Sequence, residues 1–293
     1  MSAVKIKCWI EAMRLRTLPV SVAGVVTGVG YALLHRGFSL VPAVLCLAFA
    51  VLAQIASNFA NEYYDYRAGL DAPGRVGPRR GVTEGDITPR AMLIATYAVL
   101  GTACAVGCSL IYFGGWWLIP VGICIALGVV AYSAGPYPLS HHGLGEVAVI
   151  LFFGIIPVSL TCYLQTGQWY TDVWFGSVAI GLLGANVLIV NNYRDADADR
   201  KVGKRTLAVI LGRRIVRIIY GVNAVVAMLL MSPAWRETPV SGLSPLIFFT
   251  VLYISIAWHL GVRKGKDLNP LLGATAMLML IYSVVFTVCE AVG

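Results

Sequence analysis

Charge is scarce in this 293-residue chain, and its scarcity excludes an ordinary soluble protein. Only 12% of the residues are Asp, Glu, Lys or Arg, against about 25% in typical soluble domains. Hydrophobic residues account for 58% of the chain, and they fall into runs close to the roughly 20 residues that a helix needs to cross a bilayer. The composition therefore predicts an all-α polytopic membrane protein.

Nine apolar runs of near-spanning length lie between charged or Gly/Pro-rich breaks. We interpret residues 1–293 as one transmembrane domain, a bundle of nine helices with cap loops on one side. The predicted spans are Thr17–Leu34, Leu40–Tyr64, Ala91–Tyr112, Trp116–Ala134, Leu144–Leu164, Val173–Tyr193, Ile215–Pro233, Leu243–Val262 and Pro270–Cys289.

Lysine and arginine are almost absent from one side of the predicted bundle. Four precede the first span, and the segments linking spans two to three, six to seven and eight to nine hold five, seven and three. Arg217 lies at the start of span seven on the same side, which leaves only Arg36 and Arg236 for the other side. The positive-inside rule therefore predicts a cytoplasmic N-terminus and cytoplasmic cap loops in the cell (inner) membrane, with the C-terminus opposite. This distribution explains the net charge of +8 by contact with the lipid bilayer, so we expect no nucleic-acid partner.

Paired cysteines are also missing. The seven cysteines include no Cys-x-x-Cys pair, and most of them lie inside predicted spans. The pattern gives no indication of disulfides. We interpret these side chains as small apolar groups that pack between helices.

Carboxylates and amides are concentrated at the cytoplasmic ends of spans two and six. Asn61 and Asp65 share a helical face, because residues four apart in a helix lie on one side, and Asn191, Asp195 and Asp199 form a second stripe. Such groups are costly to desolvate at the end of a membrane helix unless a cation or another partner offsets them. We therefore expect the two stripes to face each other.

Basic residues follow both acidic stripes closely. Arg67 follows Asp65, and Lys204 and Arg205 follow Asp199. Magnesium prefers oxygen ligands and commonly binds one or two carboxylates together with phosphate oxygens, and basic side chains bind the phosphate oxygens that remain. At a lipid boundary this mixture predicts Mg²⁺ that bridges to a diphosphate with an apolar chain, as in a polyprenyl diphosphate.

The two stripes resemble the paired motifs of the UbiA superfamily of membrane prenyltransferases, which attach isoprenoid chains to aromatic acceptors. The second family motif, Asp-x-x-x-Asp, is present as Asp195 and Asp199. The first, Asn-Asp-x-x-Asp-x-x-x-Asp, is matched at Asn61 and Asp65. The resemblance implies the UbiA fold and a prenyl transfer that depends on Mg²⁺.

The first motif departs from the family pattern at two positions. Glu62 stands where Asp is usual, and Gly69 takes the last acidic position, with Asp71 two residues later. This variant and further matches along almost the whole chain resemble the branch that acts on 1,4-dihydroxy-2-naphthoate in menaquinone (vitamin K2) synthesis. Those matches are Arg16-Thr17-Leu18-Pro19, Arg75, Gly77-Pro78, Arg80-Gly81, Pro136, Gly143-Leu144-Gly145-Glu146, Asn191-Asn192-x-Arg194-Asp195, Gly203-Lys204-Arg205-Thr206-Leu207 and Asn269-Pro270-Leu271-Leu272.

The resemblance implies roles for these polar residues. The side chains expected to hold Mg²⁺ are Asn61, Asp65, Asp71, Asp195 and Asp199. Those expected to bind the diphosphate are Arg67, Lys204, Arg205, Asn191 and Asn192. The implied reaction transfers the polyprenyl chain to the naphthoate with loss of CO2 and diphosphate, giving demethylmenaquinol.

Four residues are candidates for the pocket of the acceptor and the allylic cation. The rings of Tyr63, Tyr132 and Tyr193 either stabilise the cation that remains when diphosphate leaves or pack structurally. Glu146 lies at the start of the fifth span, where an acid either complements the helix dipole or lines the pocket.

Two other functions remain open at this stage. A different UbiA-type enzyme would use 4-hydroxybenzoate, homogentisate, haem or a chlorophyll precursor as its acceptor. A divalent-cation transporter would use the acidic stripes as ion ligands, but such carriers need polar sites near the bilayer midplane, whereas these acids cluster at the cytoplasmic ends.

Overall fold

The computed structural model describes residues 3–71, 77, 79–236 and 244–292, and within these ranges the chain is helical, with no β-strand. The predicted all-α class is confirmed. The α-helices of the described ranges are α1 (Ala3–Met13), α2 (Leu18–Leu34), α3 (Leu40–Arg67), α4 (Pro89–Gly114), α5 (Leu118–Ala131), α6 (Gly145–Val149), α7 (Ile156–Thr166), α8 (Thr171–Lys201), α9 (Leu207–Leu211), α10 (Arg213–Arg236), α11 (Ser244–Val262) and α12 (Asn269–Val292).

The number of membrane spans differs from the prediction. A helix lies at each of the nine predicted positions, but only seven helical segments of the described ranges are long and apolar enough to cross a membrane, or eight if α1 and α2, bent by 52°, form one span. The 14 residues of α5 extend about 21 Å, less than the roughly 30 Å hydrocarbon core. Nine spans are therefore not confirmed. The predicted start of the eighth, Leu243, lies outside the described residues.

The long helix α8 is the most buried of the spanning helices found in the described ranges. Ile180 and Leu183 in its apolar middle have no exposed surface, and it packs against α2, α10 and α12. Its 31 residues extend about 46 Å at 1.5 Å per residue. This length exceeds the bilayer core, so its polar last turns are held at a fixed position beyond the apolar region.

A π-helical segment, Ile150–Ile155, joins α6 and α7 into one rod. Pro157 follows it; a proline has no N–H to donate and its ring clashes with the carbonyl four residues earlier, and a wider π turn accommodates both effects. Within the rod, Gly154 lies against α8: a Cβ added to Gly154 would lie 2.3 Å from Gly181 Cα. The two backbones are therefore in direct contact, as small residues allow between membrane helices.

The N-terminal helix α1 packs against the last turns of α3 and the start of α4. After α1 the chain turns at Arg14, a non-glycine residue with φ of 52°, in the sparsely populated left-handed region. The Arg14 side chain donates a hydrogen bond to Asn61 Oδ1 at the end of α3. The buried apolar cluster between these helices and the following loop consists of Cys8, Ala12, Phe59, Tyr63, Val82, Ile87 and Met92.

Replacing Gly154 by Ala should destabilise the bundle, because the added methyl group would meet the Gly181 backbone and not a movable side chain. Overpacking of this kind costs about 1–3 kcal/mol, so we expect a lower melting temperature in detergent, measured by circular dichroism. The control is Gly101→Ala, where an added Cβ has no atom within 4 Å. A Gly154→Ala protein that melts at or above the wild-type temperature would contradict the close approach.

Candidate functional site

A polar cavity of about 520 Å³ lies between the ends of α3 and α8. Its walls also include the turn between α1 and α2, the segment before α6 and the start of α12. The cavity therefore brings together acids and bases that are far apart in the sequence. The charged residues that line it in the described ranges are Glu11, Arg14, Arg16, Asp65, Arg79, Arg80, Glu146, Arg194, Asp195, Asp199 and Lys204.

Asp65, near the end of α3, is only 2% exposed. Its Oδ2 accepts a hydrogen bond of 3.1 Å from the Asn61 amide and lies 3.7 Å from both Arg80 Nη2 and Lys204 Nζ. His141 Nε2 lies 3.4 Å from Oδ1. Because an unpaired buried carboxylate is strongly destabilising, these contacts are what allow Asp65 to remain ionised out of water.

Asp195, on the last turns of α8, is bound by the arginine that precedes it. Arg194 Nε donates to Oδ1 at 2.8 Å and Nη2 donates to Oδ2 at 2.7 Å. The same guanidinium donates to Asn191 Oδ1 at 2.8 Å and to Asn269 Oδ1 at 3.0 Å. Asp199 lines the cavity one turn later. The predicted stripe of α8 thus faces the same cavity as Asp65.

Three residues predicted to bind the metal or the diphosphate lie outside the cavity lining: Asp71, Arg67 and Arg205. Asp71 Oδ2 lies 3.3 Å from Arg80 Nε, so this displaced acid holds a cavity arginine and does not face the cavity itself. Arg67 is exposed, because two residues after Asp65 it lies on a different face of α3. Arg205 is also exposed; the predicted Lys204, Asn191 and Asn192 do line the cavity.

Of the three candidate tyrosines, only Tyr132 lines the cavity. Tyr63 is buried in the apolar cluster between α1, α3 and α4. Tyr193 packs in the main core, where the guanidinium carbon of Arg213 lies 5.6 Å from its ring centroid. Tyr63 and Tyr193 therefore pack in apolar clusters and do not line the polar cavity.

Glu146 lines the cavity at the start of α6 and is 7% exposed. Its Oε1 accepts a hydrogen bond of 2.9 Å from Asn192 Nδ2. Its Oε2 is buried and meets no hydrogen-bond partner in the part of the chain that the structure describes. Glu146 thus lies in the cavity lining. Its partner Asn192, which was expected to bind the diphosphate, contacts this carboxylate.

Three arginines that the sequence analysis did not assign to the site contact it directly. Arg14 and Arg80 both donate to Asn61 Oδ1, Arg80 at 3.0 Å, and Arg194 holds Asp195. Arg194 had a signal, since it stands inside the second motif. Arg80 also had one, as part of the Arg80-Gly81 match in the loop after α3, whereas Arg14 had none beyond its charge, because the fold of the N-terminal turn decides whether that cation reaches the site. Two further matches in that loop, Arg75 and Pro78, lie outside the described residues.

An apolar cavity of about 280 Å³ adjoins the polar one. The side chains that line both are Gln54, Ser57, Tyr132, Val149 and Phe153. The remaining wall is mostly apolar and comes from α2, α3, α4, α5 and the rod of α6 and α7. A ligand with a charged head and an apolar chain therefore fits the pair of cavities.

The polar cavity offers the oxygen donors that a hard divalent cation prefers, on Asp65, Asp195, Asp199, Asn61 and Asn191. No group of three His, Cys, Asp or Glu side chains in the described ranges forms a ready metal site. Magnesium is usually held by one or two carboxylates plus substrate phosphate oxygens and water, and not by an all-protein cage. These residues therefore fit Mg²⁺ that binds together with a phosphate ligand.

Comparisons with known proteins agree on one family. The model of the UbiA prenyltransferase family matches residues 22–286. The 1,4-dihydroxy-2-naphthoate octaprenyltransferase of Haemophilus influenzae is 31% identical over 99% of this chain and 97% of that protein, and the protein of the same name from Mycobacterium tuberculosis is 38% identical over 94% of each. A solved UbiA homolog from Archaeoglobus fulgidus, bound to DMAPP and Mg²⁺, is 17% identical with a TM-score of 0.63 over 96% of this chain and 99% of that one, which shows a shared fold.

Mg²⁺ added with inorganic pyrophosphate should raise the melting temperature of the protein in detergent, because a ligand that binds only the native state stabilises it by about 2.7 kcal/mol at 100 times its Kd. Differential scanning fluorimetry measures the shift. Asp65→Asn and Asp195→Asn should lose most of it. The control is Asp197→Asn, two residues from Asp195 on α8, since Asp197 is exposed and pairs with Arg213 at the surface. A full shift in both cavity variants would contradict the site.

Proposed function

Because the chain belongs to the UbiA prenyltransferase family, we propose that it transfers the chain of a polyprenyl diphosphate to 1,4-dihydroxy-2-naphthoate, releasing diphosphate and CO2 to give demethylmenaquinol. Family membership and the apolar helices make it a multi-pass membrane prenyltransferase. The two relatives named above, which match nearly their whole length, support the acceptor. The proposal depends most on one observation: Asp65 and Asp195 line a single polar cavity that adjoins an apolar one.

The apolar cavity suits the prenyl chain. Removing apolar surface from water contributes about 0.8 kcal/mol per CH2 group, so a chain of several isoprene units gains most of its binding energy there. The diphosphate then lies among the acids and bases of the polar cavity. Carbon C1, where the bond to diphosphate breaks, would lie where the two cavities meet, close to Tyr132.

The charge of the polar cavity explains why a cation must accompany the diphosphate. Six basic and five acidic residues of the described ranges line it, a formal charge of +1 with neutral histidine. A diphosphate ester carries roughly three negative charges, at one and a half to two for the outer phosphate and one for the inner. One divalent cation brings the loaded cavity close to neutral, whereas the protein alone leaves an excess of negative charge in a region that penalises it.

Bound Mg²⁺ would neutralise the leaving diphosphate, and the residues that would hold it are Asp65, Asp195 and Asp199, with the amide oxygens of Asn61 and Asn191. The protein's own cations act on the other phosphate oxygens. Those that line the cavity are Arg14, Arg16, Arg79, Arg80, Arg194 and Lys204. Donors already in place where negative charge develops are usually the largest catalytic contribution, on the order of 100-fold for each group removed.

The allylic cation left at C1 needs an electron-rich neighbour and protection from water. Tyr132 is the candidate tyrosine that lines both cavities, and a desolvated ring stabilises a cation by about 2 kcal/mol. The apolar wall around it keeps water from competing with the aromatic acceptor for the cation.

Orientation in the membrane is part of the proposal. The concentration of basic residues supports a cytoplasmic N-terminus and a cytoplasmic polar cavity. A C-terminus on the opposite side of the inner membrane requires an odd number of crossings, and the proposed nine include the short helices α2 and α5.

The direct test uses purified protein with Mg²⁺, prenyl diphosphates of several lengths, and a choice of acceptors. Mass spectrometry should detect prenylated product from 1,4-dihydroxy-2-naphthoate, with labelled CO2 released from a carboxyl-labelled substrate. Product from 4-hydroxybenzoate, homogentisate or haem in its place would assign the chain to another UbiA-type activity. Metal flux into proteoliposomes without a prenyl donor would instead indicate a divalent-cation transporter.

Asp65→Asn and Asp195→Asn should each lower the rate of prenyl transfer by about 100-fold or more, because each removes charge that opposes the leaving diphosphate. Both variants should remain inserted in the membrane, and Asp197→Asn should transfer at the wild-type rate. Chelation of the metal should stop transfer, and added Mg²⁺ should restore it. Near-normal rates in the purified cavity variants at saturating Mg²⁺ would contradict the assignment.

A further inference from the structure

Glu146 differs from Asp65 and Asp195 in that no cation of the described residues pairs with it. Asp65 lies 3.7 Å from Lys204 and Asp195 is bound by Arg194, but Glu146 forms no ion pair within the described ranges of the chain. The side chain is 7% exposed, Oε1 is bound by Asn192, and Oε2 meets no donor among the described residues. Because a buried carboxylate oxygen without a donor is strongly unfavourable, this geometry points to a ligand group that donates to Oε2.

The position of Glu146 narrows the kind of ligand. A Cβ added to the neighbouring Gly145 would lie 3.6 Å from Tyr132 Oη, and both Tyr132 and Val149, one helical turn after Glu146, line the polar and the apolar cavity. Glu146 therefore lies beside the junction of the cavities, where C1 of the donor would react. The group that fills this place must be largely apolar and must offer a hydrogen-bond donor to a carboxylate.

We propose that Glu146 binds a ring hydroxyl of the aromatic acceptor and takes its proton during prenyl transfer, with Asn192 holding the carboxylate in position. This inference rests on the proposed function and assigns the acceptor side of that site. A phenol or naphthol O–H is the donor that Oε2 lacks, and its flat apolar ring matches the surroundings of Tyr132 and Val149. The diphosphate itself cannot occupy this place, since it has acceptor oxygens that a carboxylate repels.

The proton transfer balances the reaction. The C1–oxygen bond breaks and its electron pair leaves with the diphosphate, while a ring π pair forms the new bond from C1 to the ring carbon beside the hydroxyl. The O–H bond breaks, its pair forms a ring C=O, and the proton bonds to Oε2. When that ring carbon loses its carboxylate as CO2, the released pair restores the aromatic ring and Glu146 returns the proton to the ring oxygen. The steps need no oxidant or reductant.

Glu146→Gln separates the proton acceptor from the shape of the site, because glutamine keeps the size of the side chain and its contact with Asn192. We expect prenyl transfer at saturating substrates to fall by about 100-fold or more, the usual range for general acid–base catalysis. The Kd of the prenyl diphosphate with Mg²⁺, measured by calorimetry, should stay within about threefold. The matched control is Glu84→Gln, an exposed acid outside the cavity, which should transfer at the wild-type rate.

Chemical rescue gives a readout that a structural role would not change. Glu146→Ala leaves space for a small carboxylate, so added formate should restore its transfer rate by about tenfold or more, in the manner of an external base, while chloride at the same concentration should not. The melting temperature shows whether each variant is folded. If Glu146→Ala is not folded, the transfer rate of Glu146→Gln tests the inference.

The inference is overturned if Glu146→Gln transfers within about threefold of the wild-type rate, or if it loses donor affinity in parallel with transfer. Absence of formate rescue in a folded Glu146→Ala protein also contradicts it. Failure of the proposed function has a different appearance, because the wild-type protein itself would then give no prenylated product from 1,4-dihydroxy-2-naphthoate.

Discussion

Burial of charge at the lipid boundary is the constraint on which this structure depends. Asp65 and Asp195 are 2% and 6% exposed, in a region where an isolated ion loses most of its hydration. Each is stable there only because a cation or an amide lies within contact distance. Lys204 and Arg80 serve Asp65, and Arg194 serves Asp195 with two hydrogen bonds. The position of the polar cavity follows from these pairs.

The cations that contact Asn61 and Asp65 come from separate parts of the chain. Their contacts fix the positions of the loops over the helix ends. Arg14 follows α1, Arg80 belongs to the loop after α3, and Lys204 follows α8. Each loop must fold toward the cavity for its cation to reach Asn61 or Asp65. In the proposed function the carboxylates would hold the metal and these cations would bind phosphate oxygens, so groups that pair with each other in the protein alone would also contact the ligand. The affinity for the metal and the diphosphate then reflects the difference between the contacts made in the protein alone and those made in the complex.

Composition and periodicity predicted the fold class and the two acidic stripes, because both depend on local spacing. Residues four apart on a helix must share a face, so Asn61 contacts Asp65 as expected. The positions of the Tyr63, Arg67 and Arg205 side chains could not be predicted in this way. Their spacing from an aspartate along the chain does not fix the direction in which each side chain points. The fold directs Tyr63 into an apolar cluster and leaves the other two exposed.

The predicted count of nine spans is not confirmed, for a related physical reason. Hydropathy measures how apolar a run of residues is, but it does not show where the backbone turns and the helix ends. The predicted span from Trp116 to Ala134 therefore contains only the 14 helical residues of α5. The short helix has a function in the cavity: α5 ends at Ala131, so that Tyr132 and Ser133 turn toward the end of α3, where Ser133 Oγ accepts a hydrogen bond of 3.0 Å from Asn61. A helix long enough to cross the bilayer fully would carry these two residues away from the site.

Three buried acids of this cavity, Asp65, Asp195 and Glu146, have different neighbours. The difference indicates how one cavity can support two kinds of chemistry. The carboxylates of Asp65 and Asp195 attract a metal ion, and the cations beside them attract phosphate oxygens, which suits this part of the cavity to a diphosphate. Among the described residues the Glu146 carboxylate is bound by the neutral amide of Asn192 and by no cation, so its second oxygen is available to a hydroxyl. Different environments for like groups are a common way to divide acid–base work from electrostatic work. Within the part of the chain that the structure describes, cations lie near α3 and α8 and none pairs with Glu146, so the proton-accepting position that we propose lies beside the apolar cavity, where an aromatic ring and an allylic carbon can meet.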